Sequence, residues 1–94
     1  MTQADLFAAL VMLEWRKSTF SDVLYLPPES EGREVVSVDG DTRDPDDATS
    51  IKLPDDQVEL ELFVGRPDST YRRLIVTCQE ALEMIAHDTA TKPA

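Results

Sequence analysis

Residues 58–64, with the sequence VELELFV, alternate apolar and acidic side chains, and this alternation constrains the fold most strongly. In an extended chain the apolar residues share one face, and Glu59 and Glu61 share the other. The pattern predicts an antiparallel β-strand with one buried and one solvent-facing side. The rest of the chain must therefore supply pairing strands and a layer that covers the apolar face.

Three other segments favour strands. Residues 22–28 and 33–38 are rich in Val, Leu and Tyr, and a Pro, Glu, Ser and Gly loop between them predicts a hairpin. Residues 50–54 are separated from 58–64 by the turn sequence PDDQ, which predicts a second hairpin. Together these segments predict an antiparallel sheet of three to four strands.

A helix is expected at each end of the chain. Residues 2–17 carry Thr2 as a cap with Asp5 three residues later, followed by a segment that is apolar around much of its circumference. The segment 65–88 predicts a second helix, which would begin after Pro67. Asp68 or Ser69 would cap it, and one face would carry Tyr71, Leu74, Ile75, Cys78, Leu82 and Ile85.

The resulting order is α-β-β-β-β-α, an α+β fold with both helices packed on one face of the sheet. With 94 residues the chain is long enough for one modest core. We expect a single domain over residues 1–88 and a flexible tail over 89–94.

The single cysteine excludes an intramolecular disulfide. The apolar run at residues 6–13 is shorter than the ~20 residues of a membrane span. It also lacks the features of a signal peptide, so we expect a cytoplasmic protein that does not engage membranes.

Charge is concentrated in the middle of the chain. Residues 29–61 contain twelve acids and three bases, whereas the rest has seven acids and six bases. A chain with a net charge of −10 is not expected to bind nucleic acid directly, because phosphate contacts require clustered Lys and Arg. A concentrated negative surface instead attracts a basic protein surface. The predicted partner-binding face comprises Glu34, Asp39, Asp41, Asp44, Asp46, Asp47, Asp55, Asp56, Glu59 and Glu61. The alternative is that these acids only solvate strands and shape turns.

Two further groups of residues suggest contacts. Arg66, Arg72 and Arg73 form a small basic group that would pair with the acidic loop or contact an anion or acidic partner. The apolar first helix suggests self-association through Leu6, Leu10, Leu13 and Trp15, in a homodimer or a secretion-chaperone-like carrier. The alternative for Trp15 is packing in the core.

No catalytic motif is present, so we expect neither an enzyme nor a cofactor. An EF-hand loop beginning at Asp39 fails because Arg43, Asp44 and Ser50 occupy required ligand or glycine positions. A weak divalent-metal site at Asp44, Asp46 and Asp47 stays open as a further alternative. Cys78 is predicted to be a buried structural thiol, and His87, the only histidine, a surface residue paired with Glu83.

The leading hypothesis is a small acidic protein-binding module, such as an inhibitor, an immunity-type protein or a regulatory subunit. A narrower version is a nucleic-acid mimic that blocks the basic channel of a nucleic-acid-binding protein.

Overall fold

The computed structural model describes residues 1–28, 34–44, 46, 47, 49–64 and 70–91. The elements are α1 (Gln3–Met12), β1 (Arg16–Lys17), β2 (Leu24–Leu26), β3 (Val35–Asp39), β4 (Asp41–Arg43), β5 (Ser50–Lys52), β6 (Gln57–Val64), β7 (Thr70–Thr77) and α2 (Cys78–Thr91). The predicted α+β class, with a helix at each end of the chain, is confirmed.

The main sheet is antiparallel and has the strand order β1-β2-β3-β6-β7. The first predicted hairpin is confirmed as β2 and β3, in which Tyr25 lies opposite Val38. The sheet is larger than the three to four strands predicted, because β1 and β7 come from segments that the sequence assigned to helices.

The second predicted hairpin is wrong. β5 does not pair with β6; it pairs with β4, which lies in the stretch predicted as an acidic loop, and Thr42 faces Ile51. The chain turns at Gly40, between β3 and β4, where the Gly40 N–H donates to the carbonyl of Val23 and the Leu53 N–H donates to the carbonyl of Gly40. These bonds end the pairing of β3 in the main sheet and start a separate two-stranded sheet.

The prediction that residues 70–77 belong to the second helix is also wrong. All eight residues of β7 pair with β6, with Val76 opposite Val58 and Leu74 opposite Leu60. Helix α2 begins only at Cys78. Its first turn is held by Thr77, whose hydroxyl accepts from the Glu80 N–H (3.1 Å) and donates to the Glu80 carboxylate (3.0 Å). α2 runs to Thr91, past the predicted tail boundary, and residues 65–69 and 92–94 lie outside the described residues.

Helix α1 begins as predicted. The Thr2 hydroxyl accepts from the Asp5 N–H, and the Asp5 carboxylate accepts from the Thr2 N–H. These hydrogen bonds lower the pKa of Asp5.

The helix ends at Met12, earlier than the predicted residue 17. The Trp15 N–H donates to the Leu10 carbonyl and the Glu14 N–H to the Val11 carbonyl, while Glu14 has φ 69°. This is a Schellman ending with glutamate at the position that glycine usually fills.

One core lies between the two helices and one face of the sheet. Its buried residues are Leu6, Leu10, Trp15, Tyr25, Val35, Val38, Val58, Leu60, Cys78, Ala81 and Ile85. Leu62 and Val76 pack against this cluster, and the ring of Phe7 stacks on that of Tyr25 at 4.6 Å between centroids. The predicted inward face of residues 58–64 is confirmed for Val58, Leu60 and Leu62, whereas the side chain of Val64 lies outside the described part.

Gln3 is the buried polar residue that joins the helices to the loops. Its backbone N–H donates to the Asp55 carbonyl, and its side-chain Nε2 lies within hydrogen-bond distance of the carbonyls of Gly40 (3.2 Å), Pro54 (3.3 Å) and Gln57 (2.8 Å). One side chain therefore fixes the start of α1 against the β3–β4 bend and the turn before β6.

Candidate functional site

The sheet face opposite the helices carries the best candidate for a functional site. Because facing residues of an antiparallel pair share a face, the register places Glu59, Glu61 and Arg73 on this outer face, with Asp39 beside Glu59. Four of the charged residues singled out in the sequence are therefore brought together by three adjacent strands.

The two-stranded β4–β5 sheet forms one side of a cleft over this face. The hydroxyl of Thr42, in β4, donates to the Glu59 carboxylate, which connects the small sheet to the outer face of β6. The cleft encloses about 410 Å³. Its charged lining residues are Asp39, Asp41, Arg43, Glu59, Glu61 and Arg73, and its apolar lining residues are Phe20, Leu24, Leu26 and Val36.

Arg73 is shared between two carboxylates of the cleft. Its Nε lies 3.6 Å from Glu59 Oε1 and 3.7 Å from Glu61 Oε2, so it forms ion pairs that are longer than ordinary hydrogen bonds. Glu59 is only 9 % exposed, whereas the Arg73 side chain is about half exposed. Solvent screens such a pair, so one arginine offsets the two glutamates only in part.

Asp39 is the second carboxylate of the cleft that is withdrawn from water. Its burial raises the pKa above the ordinary 3.8, and the nearby charges of Asp41 and Glu59 act in the same direction. The Asp41 N–H, which donates to Asp39 Oδ1 at 2.9 Å, and the more distant Arg73 charge oppose the increase. The Asp41 N–H and Arg73 thus offset only part of the effect of burial and of the neighbouring acids on the pKa of Asp39.

The remaining predicted acidic residues do not line the cleft. Asp44, Asp46 and Asp47 lie in the β4–β5 connection, Asp55 and Asp56 in the turn before β6, and Glu34 at the start of β3. Asp44 Oδ1 accepts from the Asp46 N–H at 2.8 Å, and Asp47 Oδ2 accepts from the Thr49 hydroxyl. Asp44 and, through its bond from the Asp41 N–H, Asp39 therefore help to shape turns.

The three arginines of the predicted basic group do not form one surface. Arg72 and Arg73 are neighbours in β7, so they project to opposite faces of the sheet, and Arg66 lies outside the described residues. Arg73 contacts acids of the adjacent strand β6, and not those of the predicted acidic loop. Arg72 lies at the other face, beside an apolar depression that also includes Leu74 and Met84.

Three of the four predicted self-association residues are in the core. Leu6 and Leu10 are fully buried and Trp15 is 4 % exposed, so a second copy cannot reach them while the fold is intact. The prediction that they form a self-association surface is wrong, because the apolar circumference of α1 is covered by the sheet and α2. Leu13 stays exposed, next to Val11 and Met12 at the end of α1. The alternative of core packing is confirmed for Trp15.

The structure adds little support for metal chemistry. Within the described ranges, no three His, Cys, Asp or Glu side chains come together as a metal-binding group. Cys78 is fully buried, as predicted, and its burial raises the pKa of the thiol, with Asp56 and Asp55 adding to the increase. His87 is exposed near the end of α2.

Sequence reasoning missed several parts of the cleft. No pattern in the sequence connected Glu59 to Thr42, which contacts it in the structure. None connected it to the apolar lining residues either, which include Phe20, Leu24 and Val36. The phenyl ring of Phe20 is 95 % exposed at the rim. The alternation of residues 58–64 did identify the two central glutamates.

Comparisons of the chain with protein-family models, curated proteins and solved structures gave no match. Among the described residues, no helix has the length and apolar character needed to cross a membrane.

Proposed function

We propose that this protein binds a basic segment of another protein in the acidic cleft and carries out no chemistry of its own. The observation that carries the proposal is the convergence of Asp39, Asp41, Glu59 and Glu61 on one concave surface. The cleft has two arginines, Arg43 and Arg73, so its acids remain in excess. A cationic side chain that enters this cleft would offset repulsion among the carboxylates.

Burial strengthens this attraction. Charges interact more strongly where protein replaces water around them, and in the cleft Glu59 is buried and Asp39 is half-buried. A lysine or arginine that reaches them would gain more binding free energy than it gains from an exposed acid such as Asp46 or Asp56. The apolar lining suits the same ligand, because the methylene stems of Lys and Arg pack on apolar surfaces while their charged ends remain paired.

The size of the cleft sets the kind of contact. A volume of about 410 Å³ lies in the lower part of the range of pockets that receive small ligands, so it accommodates side chains of a partner and not a folded domain. The proposal therefore describes an inhibitor, immunity-type protein or regulatory subunit that captures an extended basic segment. Acids outside the cleft would increase the association rate through long-range attraction.

A pair of charge-matched double variants tests the site. Asp41→Asn with Glu61→Gln removes two charges from the cleft, and Asp46→Asn with Asp47→Asn removes two from the exposed β4–β5 connection. We would titrate each protein calorimetrically with an unstructured lysine- and arginine-rich peptide at low and at physiological salt. The cleft variant should bind at least about tenfold more weakly than the β4–β5 variant, since Asp41 and Glu61 are partly buried, Asp46 and Asp47 are exposed, and a partly buried charge pair is worth more than an exposed one. Equal weakening by both variants would reduce the interaction to net charge and overturn the proposal.

The nucleic-acid mimic is a narrower form of the same proposal. It places carboxylates of the cleft and of the β4–β5 connection on the phosphate sites of a basic channel. It predicts that DNA or RNA competes with this protein for a basic nucleic-acid-binding protein, and that the binding constant falls steeply with salt. Binding that polynucleotide does not displace would remove the mimicry and leave the peptide-binding proposal in place.

A further inference from the structure

The two edges of the main sheet differ in a way that points to self-association. One edge strand, β1, has only two residues, both of them basic. Short, charged edges are a common protection against pairing with another chain. The other edge strand, β7, has eight residues and pairs without a bulge along its whole length with β6. No described residue pairs with its outer side.

The side chains of β7 also lack the features that usually prevent an edge strand from pairing with another chain. Tyr71 is 60 % exposed, Ile75 53 % and Leu74 36 %, and the strand contains no lysine, proline or acidic residue. A long, exposed, partly apolar edge is the feature that accepts an additional strand. We infer that two copies of this chain join through antiparallel pairing of their β7 strands, so that the two sheets become one.

Symmetry restricts the register of such a pair. A twofold axis perpendicular to the sheet keeps both sets of helices on the same side, so facing residues must belong to the same face of β7. Placing Leu74 opposite Leu74 of the second copy satisfies this condition. It also sets Arg73 opposite Ile75 and Arg72 opposite Val76, so no like charges face each other directly and the arginine stems cover apolar side chains. The strand is therefore complementary to itself.

The charges of β7 are compatible with a second copy in this register. The two arginines of β7 would repel a strand that placed cations directly opposite them, and pairing about Leu74 avoids this because each arginine faces an apolar residue. Arg73 is also partly neutralised by Glu59 and Glu61 of its own sheet, so two β7 strands repel each other less than two unpaired cationic strands would. Two chains with a net charge of −10 still repel each other as wholes. The remaining repulsion acts over longer distances and is screened at physiological ionic strength. The dimer should therefore become stronger as salt is added, opposite to the salt dependence of the acidic cleft.

Analytical ultracentrifugation over a range of protein and salt concentrations tests this inference. Ile75→Lys introduces lysines opposite Arg73 of each partner strand, and Met12→Lys is the control that adds the same charge to the exposed apolar end of α1. We expect wild type and Met12→Lys to dimerise more strongly at higher salt. Ile75→Lys should raise the dimer dissociation constant by about tenfold or more, because it creates two like-charge pairs. A monomeric wild type at every concentration and salt, or dissociation caused by Met12→Lys and not by Ile75→Lys, would overturn the inference.

A cross-linking experiment keeps the test informative if Ile75→Lys perturbs the fold. With Leu74→Cys the two new thiols would lie across the symmetry axis at the ~5 Å Cα separation of facing strand residues, within disulfide range, while the native Cys78 is buried. Oxidation should yield a disulfide-linked dimer faster for Leu74→Cys than for Met12→Cys. Equal or slower cross-linking through position 74 would count against pairing of β7. Because neither readout involves a basic ligand, failure here leaves the proposed cleft function untouched, and the converse also holds.

Discussion

Gln3 provides the sharpest test of how this fold is held together. Its side chain is 5 % exposed, and its Nε2, which has two N–H donors, lies within hydrogen-bond distance of the carbonyls of Gly40, Pro54 and Gln57. Replacement by methionine keeps the approximate shape and removes the donors. The carbonyl of Gly40 keeps its bond from the Leu53 N–H and that of Pro54 its bond from the Gln57 N–H, so the variant removes hydrogen bonds without leaving either of these two carbonyls unsatisfied.

The expected magnitude follows from the two N–H donors of the amide. A hydrogen bond contributes about 0.5–1.5 kcal/mol net, so Gln3→Met should lower the free energy of unfolding by about 1–3 kcal/mol. For a domain of this size that is a large part of a typical total of about 5–15 kcal/mol. Gln3→Glu should cost more at neutral pH, because it points a carboxylate at the same carbonyl oxygens.

Urea unfolding followed by circular dichroism measures both variants. Gln79→Met is a suitable control, because Gln79 is exposed on α2 and its amide is hydrogen-bonded to the side chain of Glu83 at 3.4 Å. Part of the Gln3→Glu loss should be recovered as the pH falls and the new carboxyl becomes protonated. A loss below about 0.5 kcal/mol for Gln3→Met, within the range of ordinary surface substitutions, would refute the argument that this residue holds the loops to α1.

Four further predictions follow from single residues. Leu10→Ala should reduce the free energy of unfolding in urea by about 2–5 kcal/mol, since the side chain is fully buried, and should not simply dissociate an oligomer. Gly40→Ala places a Cβ 2.8 Å from Gln3 Oε1 and should cost about 1–3 kcal/mol by urea unfolding, with much of this loss absent in a Gln3→Ala background. Asp39→Asn should raise the melting temperature at pH 7. The folded chain holds the Asp39 proton more tightly than the unfolded chain, so ionised Asp39 opposes folding at neutral pH. The gain from Asp39→Asn should therefore shrink in melting curves as the pH falls through the raised pKa and disappear below the ordinary value of 3.8. Glu14→Gly should increase the free energy of unfolding by about 1 kcal/mol, because it relieves a left-handed backbone at the end of α1.

The sequence predicted the elements whose signals are local. The alternation in residues 58–64 and the Thr2–Asp5 cap were sufficient for the inward face of β6 and the start of α1. The error at residues 70–77 arose because Tyr71, Leu74, Ile75 and Cys78 also fit a helical period. The β-branched and aromatic side chains of this stretch and the capping box formed by Thr77 and Glu80 were competing local signals that place the helix start later.

The parts that could not be predicted depend on pairing over long sequence distances. The turn sequence PDDQ resembles a hairpin turn, yet β5 pairs with β4, and no local pattern states which of two candidate strands is chosen. The acidic face was predicted from the count of charges, whereas the cleft contains only four of those ten residues. The sheet register places Glu59 beneath Thr42 and puts Arg72 and Arg73 on opposite faces of the sheet. This register is defined only when the strands are assembled.

The bend at Gly40 links the binding surface to the far side of the molecule. Asp39 and Asp41 flank that glycine, and its carbonyl is hydrogen-bonded to Gln3 at the start of the first helix. The angle between the floor of the cleft and its side therefore depends in part on a residue that no ligand in the cleft would touch. Mutations in the lining act on this angle through contacts such as the Thr42–Glu59 hydrogen bond, and substitutions on the helix offer a second, remote means of adjusting it.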